Sequence, residues 1–202
     1  MYLAIFCRFN AKICLEKGTL SHGFGHYTNK CNLSSMGDVV ASVPQYINDA
    51  GGNNREKRGH RRWCLNPSME KTGFGSGGSA YSAMWAMDHS GRGSRAKFWS
   101  YPGKGYFPRD YMHGTAWSYY QQDGVPSKDK IKISIFKLLK APEKNISSSA
   151  EPEGSDIGVK YISAYGNTIN FEPDKFEAGD RGIYWVRITG GGLRVGYVVE
   201  FF

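Results

Sequence analysis

The chain has 202 residues, 40% of them hydrophobic and 14% aromatic, which is enough apolar material for one compact domain or two small ones and excludes a chain disordered throughout. Its 26 glycines are scattered between aromatic and β-branched runs, without the fixed period of collagen or the monotony of a linker. A formal charge of +8 favours acidic partners at long range without identifying one, and the apolar start, Tyr2 to Cys7, is too short for a signal-peptide core or a membrane span.

In chain order, the helix formers of AKICLEK (Ala11 to Lys17) continue the preceding apolar residues as far as Gly18, a C-terminal stop. A second helix is expected in LSSMGDVVASVPQYINDAGG. There Val39, Val40, Val43, Tyr46 and Ile47 fall at helical spacing, Ser34 or Ser35 offers a cap, Pro44 kinks or restarts the helix, and Gly51-Gly52 end it. From Arg61 onward short strands are predicted in RRWCLN, KTGFGSG, AYSAMWAMD, AKFWSYPG, GTAWSYYQ, KIKISIFKLL, VKYISAYG, NTINFEP, GIYWVRITG and RVGYVVEFF. KIKISIF sets Ile131, Ile133 and Ile135 on one face and Lys132 and Ser134 on the other. KAPEKNISSSAEPEGSDIG reads as a long surface loop between later strands. The division between an early helical part and a late β part is placed in YPGKGYFPRDYMHG, giving units 1–109 and 110–202.

Few motifs carry chemistry. Cys7, Cys14, Cys31 and Cys64 form no CxxC pair; a Cys31–Cys64 bridge and four small buried hydrophobes are both open. GFGSGGS lacks the lysine and hydroxyl residue of a phosphate loop and is expected to be a glycine-rich hairpin turn. REKRGHRR, around His60, has three readings: a phosphate-binding patch, the start of a strand with an arginine paired to Asp49 or Glu56, or a solvated loop. The second is favoured because the remaining cations are dispersed. Asn32-Leu33-Ser34 and Asn145-Ile146-Ser147 fit the N-glycosylation pattern, which has meaning only in a eukaryotic secretory host. The aromatics of WSYPGKGYFPRDY are expected to cover a junction rather than to form a carbohydrate or lipid platform.

Taken in order, LEKGTLSH (Leu15 to His22), CNLS (Cys31 to Ser34), PQYINDAGGNN (Pro44 to Asn54) and GHRRWCLNPSMEKTGFG (Gly59 to Gly75) resemble the CAP superfamily of cysteine-rich secretory proteins, antigen 5 and pathogenesis-related proteins. The likeness covers roughly Ala11 to Arg109 and is closest to a bacterial-type branch with a GHRRW block. It implies an α+β chain: a CAP-like α-β-α sandwich, here lacking the family's first helix, followed by an all-β, Ig-like sandwich from about Tyr111 to Phe202. It also implies a cleft with two histidines, which correspond to His22 and His60 and are the implied metal ligands, for zinc or another divalent cation. Cys31 stands where the first cleft acid belongs, Asp49 is the ionisable choice for the second, and Arg61 is a rim or ion-pair residue of the cleft. His60 is expected to face the cleft from the start of a central strand while Trp63 and Leu65 enter the core. GHYT (Gly25 to Thr28) mimics the better-known family signature but comes too soon after His22, and no strand is expected after it.

The function implied is that of an extracellular or periplasmic domain, non-catalytic or weakly catalytic, that binds a metal ion, a small ligand or a surface partner. Two alternatives remain. One is a peptidase-like, metal-dependent hydrolase with Asp49 or Glu56 as ligand or general base; the other is a nucleic-acid module on Arg55 to Arg62, the less favoured partner class.

Overall fold

The computed structural model describes the chain except Met1, Asn53, residues 92–95, Lys144, Asn145, Ser147, Ser148, Ala150 and Glu151; the Asn145 glycosylation motif therefore lies outside the described residues. It is an α+β protein in two compact units, with three sheets. The first unit comprises Met1–Asp49 and Arg58–Ala96, the second Ala50–Lys57 and Lys97–Phe202. The division falls between Ala96 and Lys97, ahead of the expected 109/110 position, and the short segment 50–57 belongs with the carboxy-terminal unit.

The first unit is built on a three-stranded antiparallel sheet in the order β1 (Cys31–Ser34), β3 (Ser82–Trp85), β2 (Phe74–Ser76). A long helix, α1 (Tyr2–Lys17), lies on one face, its small side chains Cys7, Ala11 and Cys14 packed with Cys31, Leu33 and Ala83. The helix approaches this closely because of alternate glycines along and beside β2. A Cβ added at Gly73, Gly75 or Gly77 would lie 2.6 Å from the Ala4 nitrogen, 2.0 Å from the Arg8 nitrogen and 2.4 Å from the Ala11 carbonyl carbon. The strand expected in KTGFGSG is thus Phe74–Ser76, flanked by glycines whose missing side chains seat a helix, and the glycine-rich turn expected in GFGSGGS joins it to β3, the Gly77 N–H donating to the Tyr81 carbonyl at 2.8 Å. Period two does the work: every second residue faces α1.

On the opposite face stand Asn32, Ser34 and Met84, which meet α2 (Val39–Asn48) and α4 (Gly59–Cys64). The cap of α2 is Asp38, whose Oδ1 accepts from the Val40 N–H at 2.8 Å; Ser34, a predicted cap, is instead a strand residue bonded to the Gln45 side chain. Pro44 leaves α2 a single element. The bond it forfeits is to the carbonyl of Val40, a residue 75% exposed, where solvent can serve. GHRRW, expected as a strand, forms α4.

After α4 the chain is fastened by Asp88, whose Oδ2 accepts from the Lys71 and Glu70 N–H groups, each at 2.9 Å, and from the Ser90 hydroxyl at 2.8 Å. The Lys71 N–H and then the Ser90 hydroxyl hold this carboxyl at about 2, below its ordinary 3.8. A folded-state value below the unfolded one means that the stabilisation is complete above the ordinary range and is lost as pH falls through about 2. Proton NMR of the Asp88 methylene should show that low midpoint, and Asp88→Asn should reduce the loss of stability between neutral pH and pH 2; an Asp88 titrating at its ordinary value would contradict this.

The second unit pairs a four-stranded antiparallel sheet with a five-stranded one, a β-sandwich arrangement. The first runs β4 (Phe98–Tyr101), β6 (Trp117–Gln121), β10 (Thr168–Pro173), β9 (Val159–Tyr165). The second runs β5 (Gly105–Phe107), β12 (Leu193–Phe201), β11 (Gly182–Gly190), β7 (Lys132–Leu138), β8 (Gly154–Asp156), with β5 parallel to β12. Their facing sides meet in an aromatic core in which Trp117 packs on Phe171, Phe176, Tyr184 and Phe201 at centroid distances of 5.3–6.2 Å. The predicted alternation in β7 holds for its isoleucines, buried, and Lys132, exposed, whereas Ser134 is buried too. The expected junction YPGKGYFPRDYMHG contains β5 and lies inside this unit, and the long loop predicted from Lys140 to Gly158 contains the short strand β8.

Segment 50–57 contributes α3 (Asn54–Lys57), held on β9 and β10 by polar contacts. The Glu56 carbonyl accepts from Ser163 Oγ at 2.8 Å and Asn170 Nδ2 at 3.0 Å. Arg55 makes a two-point ion pair with Glu172, at 3.1 and 2.9 Å, and covers the Tyr161 ring at 4.1 Å.

Candidate functional site

The end of α2 organises the candidate site. Asp49 follows the last turn with a left-handed backbone, φ 45°, and its buried carboxylate faces His60. Oδ1 accepts from His60 Nδ1 at 2.7 Å and Oδ2 from the His60 backbone N–H at 2.9 Å. One side chain thereby fixes both the start of α4 and the orientation of its imidazole.

The carbonyls that end α2 need donors, and two arginines provide them. Arg58, itself left-handed at φ 44°, donates from Nη1 to the carbonyls of Asn48 at 2.8 Å and Asp49 at 3.0 Å. Arg61, fully buried, donates from Nε to the Ile47 carbonyl at 2.5 Å and from Nη2 to Asn48 at 3.4 Å. Cations at the negative end of a helix are also favoured by its dipole. With Arg55 on Glu172, three cations of the REKRGHRR run are engaged in internal contacts, which disfavours the phosphate-patch reading. Arg61 is a helix cap, not a cleft-rim residue. Trp63 and Leu65, expected in the core, are half-buried. Arg61→Ala should leave the Ile47 carbonyl without its donor, Asn48 keeping Arg58, and lower stability by about 1–3 kcal/mol in urea denaturation; a change under about 0.5 kcal/mol would mean that solvent replaces the guanidinium.

His22 is anchored from the loop after α1. Its Nδ1 lies 2.9 Å from the Thr28 carbonyl, and the Thr28 hydroxyl donates back to the His22 carbonyl at 2.9 Å. A carbonyl is acceptor-only, so Nδ1 carries the proton, as it does in His60 against a carboxylate. In the neutral form each ring then has its lone pair on Nε2. The two rings lie 6.4 Å apart between centroids, tilted by 37°. A metal–nitrogen bond of about 2.0–2.1 Å in tetrahedral geometry sets two imidazoles on one ion at a centroid distance of roughly 5 Å, so the pair stands about 1 Å too far apart and a shared cation requires one ring to move toward the other. Nδ1 bonded to a carbonyl or carboxylate is also the arrangement that orients metal-binding histidines.

Tyr46 and Asn32 complete the surroundings. The Tyr46 ring lies 5.6 Å from that of His60, and its hydroxyl donates to the Asn32 carbonyl at 3.1 Å; burial pushes the phenol well above its usual range, so it is a neutral wall. Asn32 Nδ2 donates to the His60 carbonyl at 3.0 Å and contacts Cys64 Sγ at 3.4 Å. Its amide is therefore buried and engaged, which removes it as a glycosylation acceptor. Burial pushes the Cys64 thiol up to about 12, and one turn from His60 it stays protonated at neutral pH.

Of the five sequence-predicted residues, His22, His60 and Asp49 come together. Cys31 does not: it faces α1, where the thiol of Cys7 and then the amide of Asn10, at 3.3 Å, lower its pKa despite burial. All four cysteines are free thiols, and Cys31 and Cys64 occupy opposite faces of the sheet, which rules out the bridge between them. Glu56, the other acid considered as a base, belongs to α3 in the second unit. Asp49 has both oxygens on His60, so it orients a ligand rather than serving as one. Among the described residues no three His, Cys, Asp or Glu side chains form a group able to hold a metal. Two imidazoles alone would leave the other positions of an ion to water or a bound molecule.

Thr28, Tyr46 and Arg58 had no place in the sequence-derived site. Thr28 was within reach, since it closes the GHYT block set aside as a mimic; β1, contrary to expectation, begins three residues after it. No family model and no curated protein sequence matches the chain. No helix among the described residues is long and apolar enough to cross a membrane.

Proposed function

We propose that the first unit is a CAP-like binding domain, non-catalytic, in which His22 and His60 share a divalent cation such as zinc and leave open positions for the donor atoms of a small ligand or surface partner. The observation that carries this reading is the pair of imidazoles held at Nδ1, with Nε2 the lone-pair nitrogen of each, at a centroid distance of 6.4 Å that a closure of about 1 Å would bring to the span of a tetrahedral ion. Helices on both faces of the three-stranded sheet support the likeness to a CAP-type α-β-α sandwich, and the two-sheet second unit is the Ig-like appendage of the same reading. An extracellular or periplasmic setting follows from the resemblance.

The binding role is preferred to hydrolysis because the carboxylate nearest the histidines already accepts two hydrogen bonds from His60, leaving no general base in place beside a bound water. Titration calorimetry with zinc near neutral pH tests the proposal. Binding at about micromolar Kd that disappears in a His22→Ala/His60→Ala variant of unchanged melting temperature is the expected result. A wild type that binds no zinc, or a variant that binds it as well, would overturn the proposal.

A further inference from the structure

Helix α1 buries its small residues and exposes its large apolar ones. At 3.6 residues per turn, Cys7, Asn10, Ala11 and Cys14 form the buried arc. Tyr2, Ile5 and Phe9 fall within roughly 60° of one another on the opposite side, at 74%, 57% and 48% exposure. The inversion has a local cause, since the glycine track of β2 admits only small residues beneath the helix. The consequence is an apolar ridge facing solvent.

The loop before β1 widens the ridge. Gly25, His26 and Tyr27 all have positive φ, 76°, 49° and 73°, a backbone that is costly for His and Tyr. This turn sets the Tyr27 ring, half exposed, 5.2 Å from Phe6 and 6.0 Å from Trp85, and the His26 ring 5.2 Å from Phe9. Exposed cations flank the aromatics: Arg8 and Lys12 on α1, Lys17 at its end and Lys30 after the turn, with Glu16 the acid among them. The patch is therefore apolar at its centre and positive at its edge.

We propose that this face, Tyr2, Ile5, Phe9 and Tyr27 with Arg8 and Lys12, seats the first unit on an anionic lipid surface, the helix lying in the interface plane. Charge complementarity selects this occupant. A helix with aromatic and aliphatic residues beside Arg and Lys matches the headgroup–acyl boundary of an anionic bilayer. A second copy of the chain brought ridge to ridge would instead oppose Arg8 and Lys12 to their own counterparts. The ridge is distinct from the His22/His60 pair, so either proposal can fail without the other.

The test is co-sedimentation of the full chain with vesicles of phosphatidylglycerol and phosphatidylcholine, against phosphatidylcholine alone, at low and high salt. Expected are binding to the anionic vesicles only, weakened by salt, and a loss of about tenfold or more in Ile5→Glu/Phe9→Glu and in Arg8→Glu/Lys12→Glu. Tyr27→Ser, off the helix, should weaken binding as well and reports on the same face should a helix variant unfold. No binding to anionic vesicles, or binding that the Ile5/Phe9 change and Tyr27→Ser both leave intact, would overturn the proposal. So would a wild-type dimer that Ile5→Glu/Phe9→Glu converts to monomer.

Discussion

Asp49→Asn is expected to weaken zinc binding by about tenfold to a hundredfold, the usual effect of removing the partner that orients a metal-binding histidine. The carboxylate accepts from the His60 ring at 2.7 Å and from the His60 backbone at 2.9 Å. An asparagine has one acceptor oxygen and one amide group, so it can satisfy only one of these donors and turns its own N–H toward the other. Either the ring loses its orientation or the first turn of α4 loses its anchor. The second outcome also costs stability, about 1–3 kcal/mol for a buried donor without a partner. Calorimetry and a thermal melt on the same sample separate the two effects. Unchanged zinc affinity in a folded Asp49→Asn protein would mean that the carboxylate is a structural cap for α4 and nothing more.

Gly75→Val is expected to unfold the first unit or to lower its stability by more than about 4 kcal/mol, the range reserved for clashes that the core cannot relax. The added Cβ would lie 2.0 Å from the Arg8 nitrogen and 2.5 Å from its Cα. Those are backbone atoms of α1, with no flexible end to move aside. Relief requires lifting the helix from the sheet, which exposes Cys7, Ala11 and Cys14 together. Gly59→Ala is the matched control. It sits at the first position of α4 with nothing within 4 Å of the added carbon, and should be neutral or stabilising by up to about 1 kcal/mol. Urea denaturation followed by circular dichroism compares them; a Gly75→Val protein with the wild-type midpoint would show that α1 does not lie on β2 as described.

The late strands were legible in the sequence because each carries its own signal: alternating or aromatic residues bounded by glycine, proline or aspartate, all within a few positions. The segment GHRRWC carries none that distinguishes its state. Six residues are too few to show helical period, and tryptophan beside arginines reads as readily as a strand. What makes it a helix is non-local, the Asp49 carboxylate on the His60 N–H and Arg61 turned inward to the carbonyls of α2. The same holds for the unit boundary. Segment 50–57 joins the second unit through Glu172, Ser163 and Asn170, more than a hundred residues away in sequence, and nothing in its own composition announces that.

In the site, the residue types were readable and their roles were not. His22 and His60 emerged from their glycine- and serine-flanked settings and from the family likeness. Asp49 was identified as the available carboxylate, but its left-handed position at the end of α2 turns it into a support for His60. Cys31 was misplaced because strand period fixes which residues share a face without fixing which face meets which helix. Once Asn32 is seen to reach His60, Cys31 must point to α1. The glycine track was visible as a pattern, yet its meaning depends on a helix that lies some sixty residues earlier.

Long-range proton–nitrogen NMR of the imidazoles, recorded before and after one equivalent of zinc, tests the shared-ion site most directly. His22 and His60 should both be Nδ1–H tautomers without metal, and the Nε2 signals of both should shift together on addition. Protons on Nε2 in the free protein, or a response confined to one ring, would contradict a cation shared between these two histidines.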